Sequence, residues 1–225
     1  MRSIRLVVVL ALGVACFAAT PREGCADAFS PDAYYRLRMD LFAATPLGAG
    51  DIVFLGDSIT EGAEWSELFP DLPVRDRGIS GDTTAGVLAR LDTVTASRPA
   101  AVFLLIGTNE LAPSLDPAPS LARQREILER IRRESPDTRV FVQSLLPRAG
   151  TYRERVESYN DALRGICREA GVGFIDLYPA FLAPDGSLRD ELTFDELHLS
   201  GAGYRHWREL LRPYLQAVGP ASAGH

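Results

Sequence analysis

The sequence predicts an α/β fold in which helices cover both faces of a parallel β-sheet. Short apolar runs alternate along the chain with segments of helical periodicity, which is the element order of this fold class. Most runs are apolar without a break, as in strands that are covered on both faces. The 225 residues are enough for about one domain, and no linker, repeat or low-complexity tract divides them.

Five strands and six helical segments are predicted along the chain. The strands are 52–55, a short strand near Val74, 102–106, 140–143 and 173–175. The helical segments are 31–42, 62–69, 83–91, 120–133, 153–170 and a last one that begins near Gly203. Gly171 should end the fifth helix, because glycine accepts the left-handed conformation there. Pro213 should interrupt the last helix, because proline lacks a backbone N–H.

The first 28 residues have the pattern of an export signal. Arg2 and Arg5 precede a 14-residue apolar run at 6–19, and the small-x-small triplet Ala26-Asp27-Ala28 follows. We therefore predict a signal peptide at 1–28, a single domain at 29–225, and a mature protein that is periplasmic or secreted. The alternative is a buried N-terminal helix.

The apolar run is short for a permanent membrane anchor, since a spanning helix needs about 20 apolar residues. Cys16 lies late in the run and leaves lipid anchoring as an option. Cleavage after Ala28 would remove Cys16 and Cys25, so the mature chain could form no intramolecular disulfide. The remaining Cys167 lies on the apolar face of the helix at 153–170, where we expect a buried small side chain.

The charge of the chain argues against nucleic acid or an anionic membrane surface as a partner. There are 24 basic and 30 acidic residues, which give a net charge of −6, and no block of basic residues stands out.

Four predicted turns collect polar residues at the carboxyl edge of the sheet, where open α/β sheets bind ligands. Their sequences are GDSIT (56–60), RGISGDTT (77–84), GTNE (107–110) and DELHLSGAGY (195–204). The Pro-rich segment 112–120 is predicted to be a loop at the same edge. Segments far apart in the sequence would thus deliver five residues to one rim: Ser58, Gly81, Asn109, Asp195 and His198.

His198 is the best candidate for a general base. His206 lies within the last helix and His225 is the terminal residue. Asp195 precedes His198 by three residues, so its carboxylate can hold one imidazole nitrogen and leave the other free for a hydroxyl. The alternative is that Asp195 only caps the turn and His198 only packs there.

Ser58 is the candidate nucleophile, because a serine hydroxyl attacks once a base takes its proton. The alternative is an N-cap serine, worth about 1 kcal/mol of helix stability. We expect the neighbouring Asp57 to fix the turn by hydrogen bonds. The backbone N–H of Gly81 and the side-chain amide of Asn109 can donate to a developing oxyanion, which acyl transfer requires.

These blocks resemble the SGNH hydrolases, also called the GDSL esterase/lipase family. The Ser, Gly, Asn and His of the family name match Ser58, Gly81, Asn109 and His198, and Asp195 matches the family's Asp three residues before its His. The first block reads GDSI instead of GDSL. The resemblance runs from about residue 51 to 212. The segments GDTTAGVLARL, LLPR (145–148) and DELHLSGAGY look like the subgroup of platelet-activating-factor acetylhydrolase catalytic subunits and related bacterial esterases.

The resemblance implies a flavodoxin-like three-layer α/β/α sandwich with five parallel strands in the order 2-1-3-4-5. It also implies a serine esterase without cofactor or metal, with a triad and an oxyanion hole. The triad would be Ser58, His198 and Asp195, and the oxyanion hole would be Ser58, Gly81 and Asn109.

The expected substrate is a small acyl ester, most simply an acetylated carbohydrate or a short-chain lipid ester. No long insertion is available to roof a lipid tunnel, so short acyl chains are favoured. A carbohydrate O-acyltransferase, a lysophospholipase or thioesterase, and a non-catalytic binding module remain as alternatives. The sequence does not indicate an oligomeric state.

Overall fold

Five parallel strands form one sheet with the order β2-β1-β3-β4-β5 in the computed structural model, which describes residues 29–218. The strands are β1 Ile52–Gly56, β2 Val74–Gly78, β3 Ala101–Leu105, β4 Arg139–Gln143 and β5 Gly173–Ile175. The predicted fold class, strand count and strand order are confirmed. The proposed signal peptide at 1–28 and His225 lie outside the described residues, so those predictions stay predictions.

The helices alternate with the strands as predicted. They are α1 Ala33–Ala44, α2 Ser58–Glu61, α3 Trp65–Leu68, α4 Thr84–Ala89, α5 Asp92–Thr95, α6 Ala118–Glu134, α7 Arg153–Ala170, α8 Tyr178–Phe181 and α9 Gly201–Val218. Three-residue 3₁₀ turns lie at Thr108–Glu110, Gly150–Tyr152 and Asp190–Leu192. The prediction for α7 has the right bounds, and Gly171 ends that helix with φ of 68°.

Two predicted helices are wrong in their bounds. The segment 62–69 is not one helix, because α2 ends before Gly62 and the chain bends before α3 begins. The bend lets Trp65 stack on Phe54 with 3.7 Å between ring centroids. The segment 83–91 likewise ends early, at Ala89, and a separate helix α5 follows.

The prediction that Pro213 interrupts the last helix is also wrong. Helix α9 continues through Pro213 to Val218. Its buried stripe consists of Trp207, Leu211 and Leu215, so it extends past the proline. A proline inside a helix costs about 3 kcal/mol, and the packing of Leu215 on the core compensates for that loss.

The strand β1 shows how the three layers share one sheet. Ile52 and Phe54 pack with Trp207 on the side covered by α3, α8 and α9. Val53 and Leu55 pack on the other side, which α4, α5, α6 and α7 cover. Side chains of one strand alternate between the two faces, so the unbroken apolar run predicted from the sequence supplies both cores.

Helix α2 lies close against the end of β2. A Cβ atom at Gly78 would lie 2.3 Å from the backbone nitrogen of Glu61. Only glycine permits this approach, which brings the loops after β1 and β2 together at the carboxyl edge.

Cys167 is buried on α7, as predicted, and burial raises the pKa of its thiol to about 11. Among residues 29–218, no helix is both long enough and apolar enough to cross a membrane.

Candidate active site

Ser58 begins α2 directly after β1, at the carboxyl edge of the sheet. The N-cap of this helix is Asp57, whose Oδ1 accepts a hydrogen bond of 3.0 Å from the backbone N–H of Ile59. The N-cap interpretation of Ser58 is therefore wrong, since its neighbour fills that position. The Ser58 hydroxyl instead lies 2.9 Å from His198 Nε2.

His198 and Asp195 lie on a short loop that an antiparallel bridge between Thr193 and Leu199 closes. Asp195 Oδ2 lies 2.6 Å from His198 Nδ1. The other oxygen, Oδ1, accepts hydrogen bonds from the backbone N–H groups of His198 at 2.7 Å and Leu197 at 3.1 Å. Asp195 thus caps the turn with one oxygen and contacts the imidazole with the other, so the turn cap is not its only contact.

The hydrogen bond from His198 is the main reason that the pKa of Asp195 falls to about 2, and the backbone N–H bonds lower it further. Asp195 is therefore ionised at neutral pH. The two side chains are open to water, with 45% of His198 and 53% of Asp195 exposed. A carboxylate on one imidazole nitrogen and a serine hydroxyl on the other is the arrangement that activates a serine for attack.

The backbone N–H groups of Ser58 and Gly81 are available beside this arrangement. Within residues 29–218, neither group donates a hydrogen bond to another residue. Gly81 has φ of 77°, in the left-handed region that favours glycine. No atom lies within 4 Å of where its Cβ would be, so this backbone faces open space.

Asn109 lies on the 3₁₀ turn that follows β3. Its Nδ2 donates a hydrogen bond of 2.8 Å to the backbone oxygen of Asp82. A side-chain amide carries two N–H donors, so one hydrogen braces the neighbouring loop and the other can reach a ligand. All five residues predicted from the sequence thus lie at the carboxyl edge of the sheet, and hydrogen bonds of 2.6–2.9 Å link three of them directly.

Glu61 is a residue of the site that sequence reasoning missed. Its Oε2 accepts hydrogen bonds of 2.6 Å from both the backbone N–H and the hydroxyl of Ser80, the residue before Gly81. Its Oε1 lies 3.1 Å from Arg38 Nε and also accepts a hydrogen bond from Tyr34. The carboxylate therefore ties the helix that begins at Ser58 to the loop that carries Gly81. Its position three residues after Ser58, on the same short helix, is the available sequence signal.

A buried ion pair between Arg90 and Asp82 supports the loops that follow β1 and β2. Arg90 is 1% exposed, and its Nη2 lies 2.9 Å from Asp82 Oδ2. The same nitrogen donates to the backbone oxygen of Gly56 at 3.1 Å. Arg90 thus joins the end of β1 to Asp82, whose backbone oxygen accepts the hydrogen bond from the Asn109 amide. Removing one partner of such a buried pair typically costs about 3–5 kcal/mol.

Asp57, the residue before Ser58, is fully buried, and burial raises the pKa of its carboxyl to about 7. Its role in fixing the turn is as expected, through the bond to Ile59.

His206 packs within the fold, with Nε2 3.1 Å from the oxygen of Ala180. In the described part of the chain, no group of three or more His, Cys, Asp or Glu side chains could hold a metal ion.

Comparison with known proteins adds a family and several relatives. The model of the GDSL-like lipase/acylhydrolase family matches residues 54–206, a segment that contains all five predicted site residues. Subunit alpha1 of platelet-activating factor acetylhydrolase IB from Rattus norvegicus is 32% identical over 165 residues, which are 68% of this chain and 70% of that protein. The human subunit is 31% identical over 164 residues, with the same coverage.

Solved structures share the fold. A GDSL-like lipase from Bacteroides thetaiotaomicron superimposes with a TM-score of 0.70 at 23% identity, covering 81% of this chain and 97% of the other. An acetylxylan esterase from Geobacillus stearothermophilus superimposes with a TM-score of 0.61 at 22% identity, covering 74% of this chain and 94% of the other.

Proposed function

This chain belongs to the GDSL-like lipase/acylhydrolase family and is a hydrolase of ester bonds, and we propose that Ser58, His198 and Asp195 are its catalytic triad. The observation that carries the proposal is the continuous line of contacts from Ser58 Oγ to His198 Nε2 at 2.9 Å and from His198 Nδ1 to Asp195 at 2.6 Å.

Acylation begins when Ser58 Oγ attacks the ester carbonyl carbon and its proton passes to His198 Nε2. Asp195 holds the imidazole in orientation and stabilises the charged form that results. The carbonyl oxygen becomes an oxyanion and accepts hydrogen bonds from the N–H groups of Ser58 and Gly81 and from the free amide hydrogen of Asn109.

The tetrahedral intermediate collapses when the bond between the carbonyl carbon and the alcohol oxygen breaks. His198 returns its proton to the departing alcohol, and the acyl group remains on Ser58. Water then attacks this acyl-enzyme while His198 again takes a proton. A second collapse releases the carboxylic acid and restores the Ser58 hydroxyl.

Short acyl esters, above all acetyl esters, are the proposed substrates. The names of the rat relative and of the Geobacillus structure both refer to acetyl esters, which supports an acetylated carbohydrate or a short-chain lipid ester here. The exposed triad side chains support the same preference, because a long acyl chain would gain little burial at an open site.

The test is a series of 4-nitrophenyl esters of increasing acyl length with the purified protein. We expect kcat/KM to be highest between acetyl and butyryl. A maximum at long acyl chains would contradict the proposed substrate class.

Hydrolysis is proposed in preference to acyl transfer for a structural reason. About half of the His198 side chain is exposed, so water reaches the base that must activate it for deacylation. An acyltransferase needs instead to exclude water from its acyl-enzyme.

Export is part of the proposal and rests on the pattern of residues 1–28. Helix α1 begins at Ala33, and its N-cap Asp32 accepts a hydrogen bond of 2.7 Å from the Tyr35 N–H. Cleavage after Ala28 would leave this helix start intact. The secreted protein should therefore begin near Phe29, and N-terminal sequencing that finds Met1 on the soluble mature protein would refute export.

A further inference from the structure

Arg148 lies in the loop that follows β4, at the same edge of the sheet as the proposed triad. Its Nη1 donates a hydrogen bond of 3.1 Å to the backbone oxygen of Thr108. The next residue in the chain is Asn109, the proposed oxyanion donor. The guanidinium of Arg148 therefore lies beside the segment that would contact the substrate carbonyl.

The Arg148 guanidinium is positioned by the hydrogen bond to Thr108 and by stacking on the ring of Tyr152. Its Cζ lies over the ring of Tyr152, 3.7 Å from the centroid, and the side chain is only half-buried. A guanidinium has five N–H donors in a planar fork. Apart from the bond to Thr108, the described residues provide this fork with no acceptor, and no carboxylate within 29–218 lies within 4.0 Å of it.

Arg155, in the first turn of α7, places a second positive charge near Arg148. Its Nε donates to the oxygen of Leu111 at 3.1 Å, and its Nη2 donates to the oxygen of Leu115. Within the described part of the chain it also forms no ion pair. Two guanidinium groups thus border residues 108–115, and the hydrogen bonds that they donate within residues 29–218 all go to backbone oxygens.

Three other arginines near this edge form ion pairs. Arg90 pairs with Asp82 at 2.9 Å, Arg38 with Glu61 at 3.1 Å, and Arg123 with Glu110 at 3.6 Å. In a chain of net charge −6, Arg148 and Arg155 therefore place two guanidinium groups, neither in an ion pair with a described residue, next to the segment that carries the proposed oxyanion donor Asn109.

From this arrangement we infer that the enzyme prefers esters that carry an anionic group, a phosphate or a carboxylate, which the Arg148 fork binds. A planar guanidinium matches both anions through two parallel hydrogen bonds. Arg155 adds to the positive potential that draws the anion to the loop. This inference rests on the proposed function, because it concerns the substrate of the same site.

The experiment compares matched pairs of acetyl esters that differ in charge. The carboxylate pair is 4-acetoxybenzoate and the neutral 4-acetoxybenzamide, and the phosphate pair is acetylglycerol phosphate and acetylglycerol. In at least one pair, kcat/KM should favour the anionic ester about 10-fold or more, the usual size of a charge-assisted hydrogen bond. The pair with the larger ratio of kcat/KM, anionic ester over neutral ester, shows whether the site prefers a carboxylate or a phosphate. The ratio should fall as salt rises from about 0.01 M to about 1 M, because salt screens exposed charges.

Arg148→Gln should bring the ratio close to one, and Arg148→Lys should leave an intermediate ratio because it keeps the charge but loses the fork. The matched control is Arg139→Gln. Arg139 also lies over an aromatic ring, that of Phe141, and donates to a backbone oxygen, that of Ala217, but it lies at the amino end of β4. This control removes the same charge and should keep the parent ratio.

Two results would overturn the inference. One is a parent enzyme that cleaves both members of each pair with similar kcat/KM. The other is a charge preference that Arg148→Gln and Arg148→Lys both retain in full. If Arg148→Gln does not fold, the lysine variant and the salt dependence of the parent enzyme decide the question. If none of the four esters is cleaved, the proposed function itself fails, and the inference fails with it.

Discussion

Replacing Asn109 with alanine should separate two contributions of one side chain. The bond from its amide to the Asp82 oxygen, at 2.8 Å, is a neutral, part-buried hydrogen bond from an exposed residue. Losing such a bond costs about 0.5–1.5 kcal/mol, or about 2–4 °C in Tm for each kcal/mol in a domain of this size. Losing an oxyanion donor costs about 2.7–4 kcal/mol of transition-state stabilisation, roughly 10²–10³ in kcat.

The variant should therefore lose far more activity than stability. KM should change little, because the oxyanion bond strengthens only in the transition state. Asn109→Asp should be no more active than Asn109→Ala, since a carboxylate cannot donate and repels the oxyanion. The assay is steady-state kinetics on 4-nitrophenyl acetate, together with thermal unfolding of the same samples.

Thr138→Ala is the matched control for this prediction. The Thr138 hydroxyl donates to the backbone oxygen of Pro99 at 2.7 Å and lies 2.6 Å from the Ser135 hydroxyl, just before β4 begins and away from the proposed site. Because two hydrogen bonds are lost, Tm should fall by at least as much as in Asn109→Ala, while kcat should stay within about twofold of the parent. An Asn109→Ala protein that loses several degrees in Tm but keeps kcat within about threefold would show that the residue only braces the loop.

Two further substitutions test the supports of the site. Glu61→Gln should lower kcat about 10- to 100-fold with little change in KM, because the loop that presents Gly81 would lose its carboxylate brace. Glu157→Gln is the control: it removes a carboxylate that also accepts hydrogen bonds from a tyrosine and an arginine, and it should leave kcat and KM unchanged. Asp57→Asn should gain stability relative to the parent as pH rises from about 4 to about 7, because the folded parent binds a proton more tightly than the unfolded chain, whose aspartate pKa is about 3.9. Urea unfolding at both ends of that pH range measures the effect, and equal differences at the two pH values would contradict it.

The architecture could be predicted because its signals are local. Unbroken apolar runs marked the strands that are covered on both faces, and helical periodicity marked α6 and α7. The edge strand β2 was weakly marked, because its central residues Arg75, Asp76 and Arg77 are charged. Part of this charge is paired across to α1, where Arg38 Nη2 lies 2.9 Å from Asp76, and a single sequence does not show that pairing.

The predicted helix ends are wrong where packing outweighs the local preference of the sequence. Pro213 is a strong local stop signal, yet Leu215 continues the buried stripe and the helix continues with it. Conversely, the segment 62–69 has helical periodicity, but the stacking of Trp65 on Phe54 requires a bend.

The position of the five candidate site residues at one edge could be predicted because each follows a strand or precedes a helix in a block rich in Gly, Asp, Ser or Asn. The residues that brace them could not be predicted. Glu61 contacts Ser80 nineteen positions away, and Arg148 contacts Thr108 forty positions away. Such bonds between a side chain and a distant backbone leave no periodicity in the sequence.

The kcat of Ser58→Ala on 4-nitrophenyl acetate tests the central claim most directly, because the proposed mechanism requires an acyl group on this oxygen. Ser58 is not the N-cap of α2, so the variant should fold with a Tm close to that of the parent. Its kcat should fall by about 10⁴–10⁶, as deletions within a catalytic triad do. A folded Ser58→Ala protein with a kcat within about tenfold of the parent would contradict the claim that Ser58 is the nucleophile.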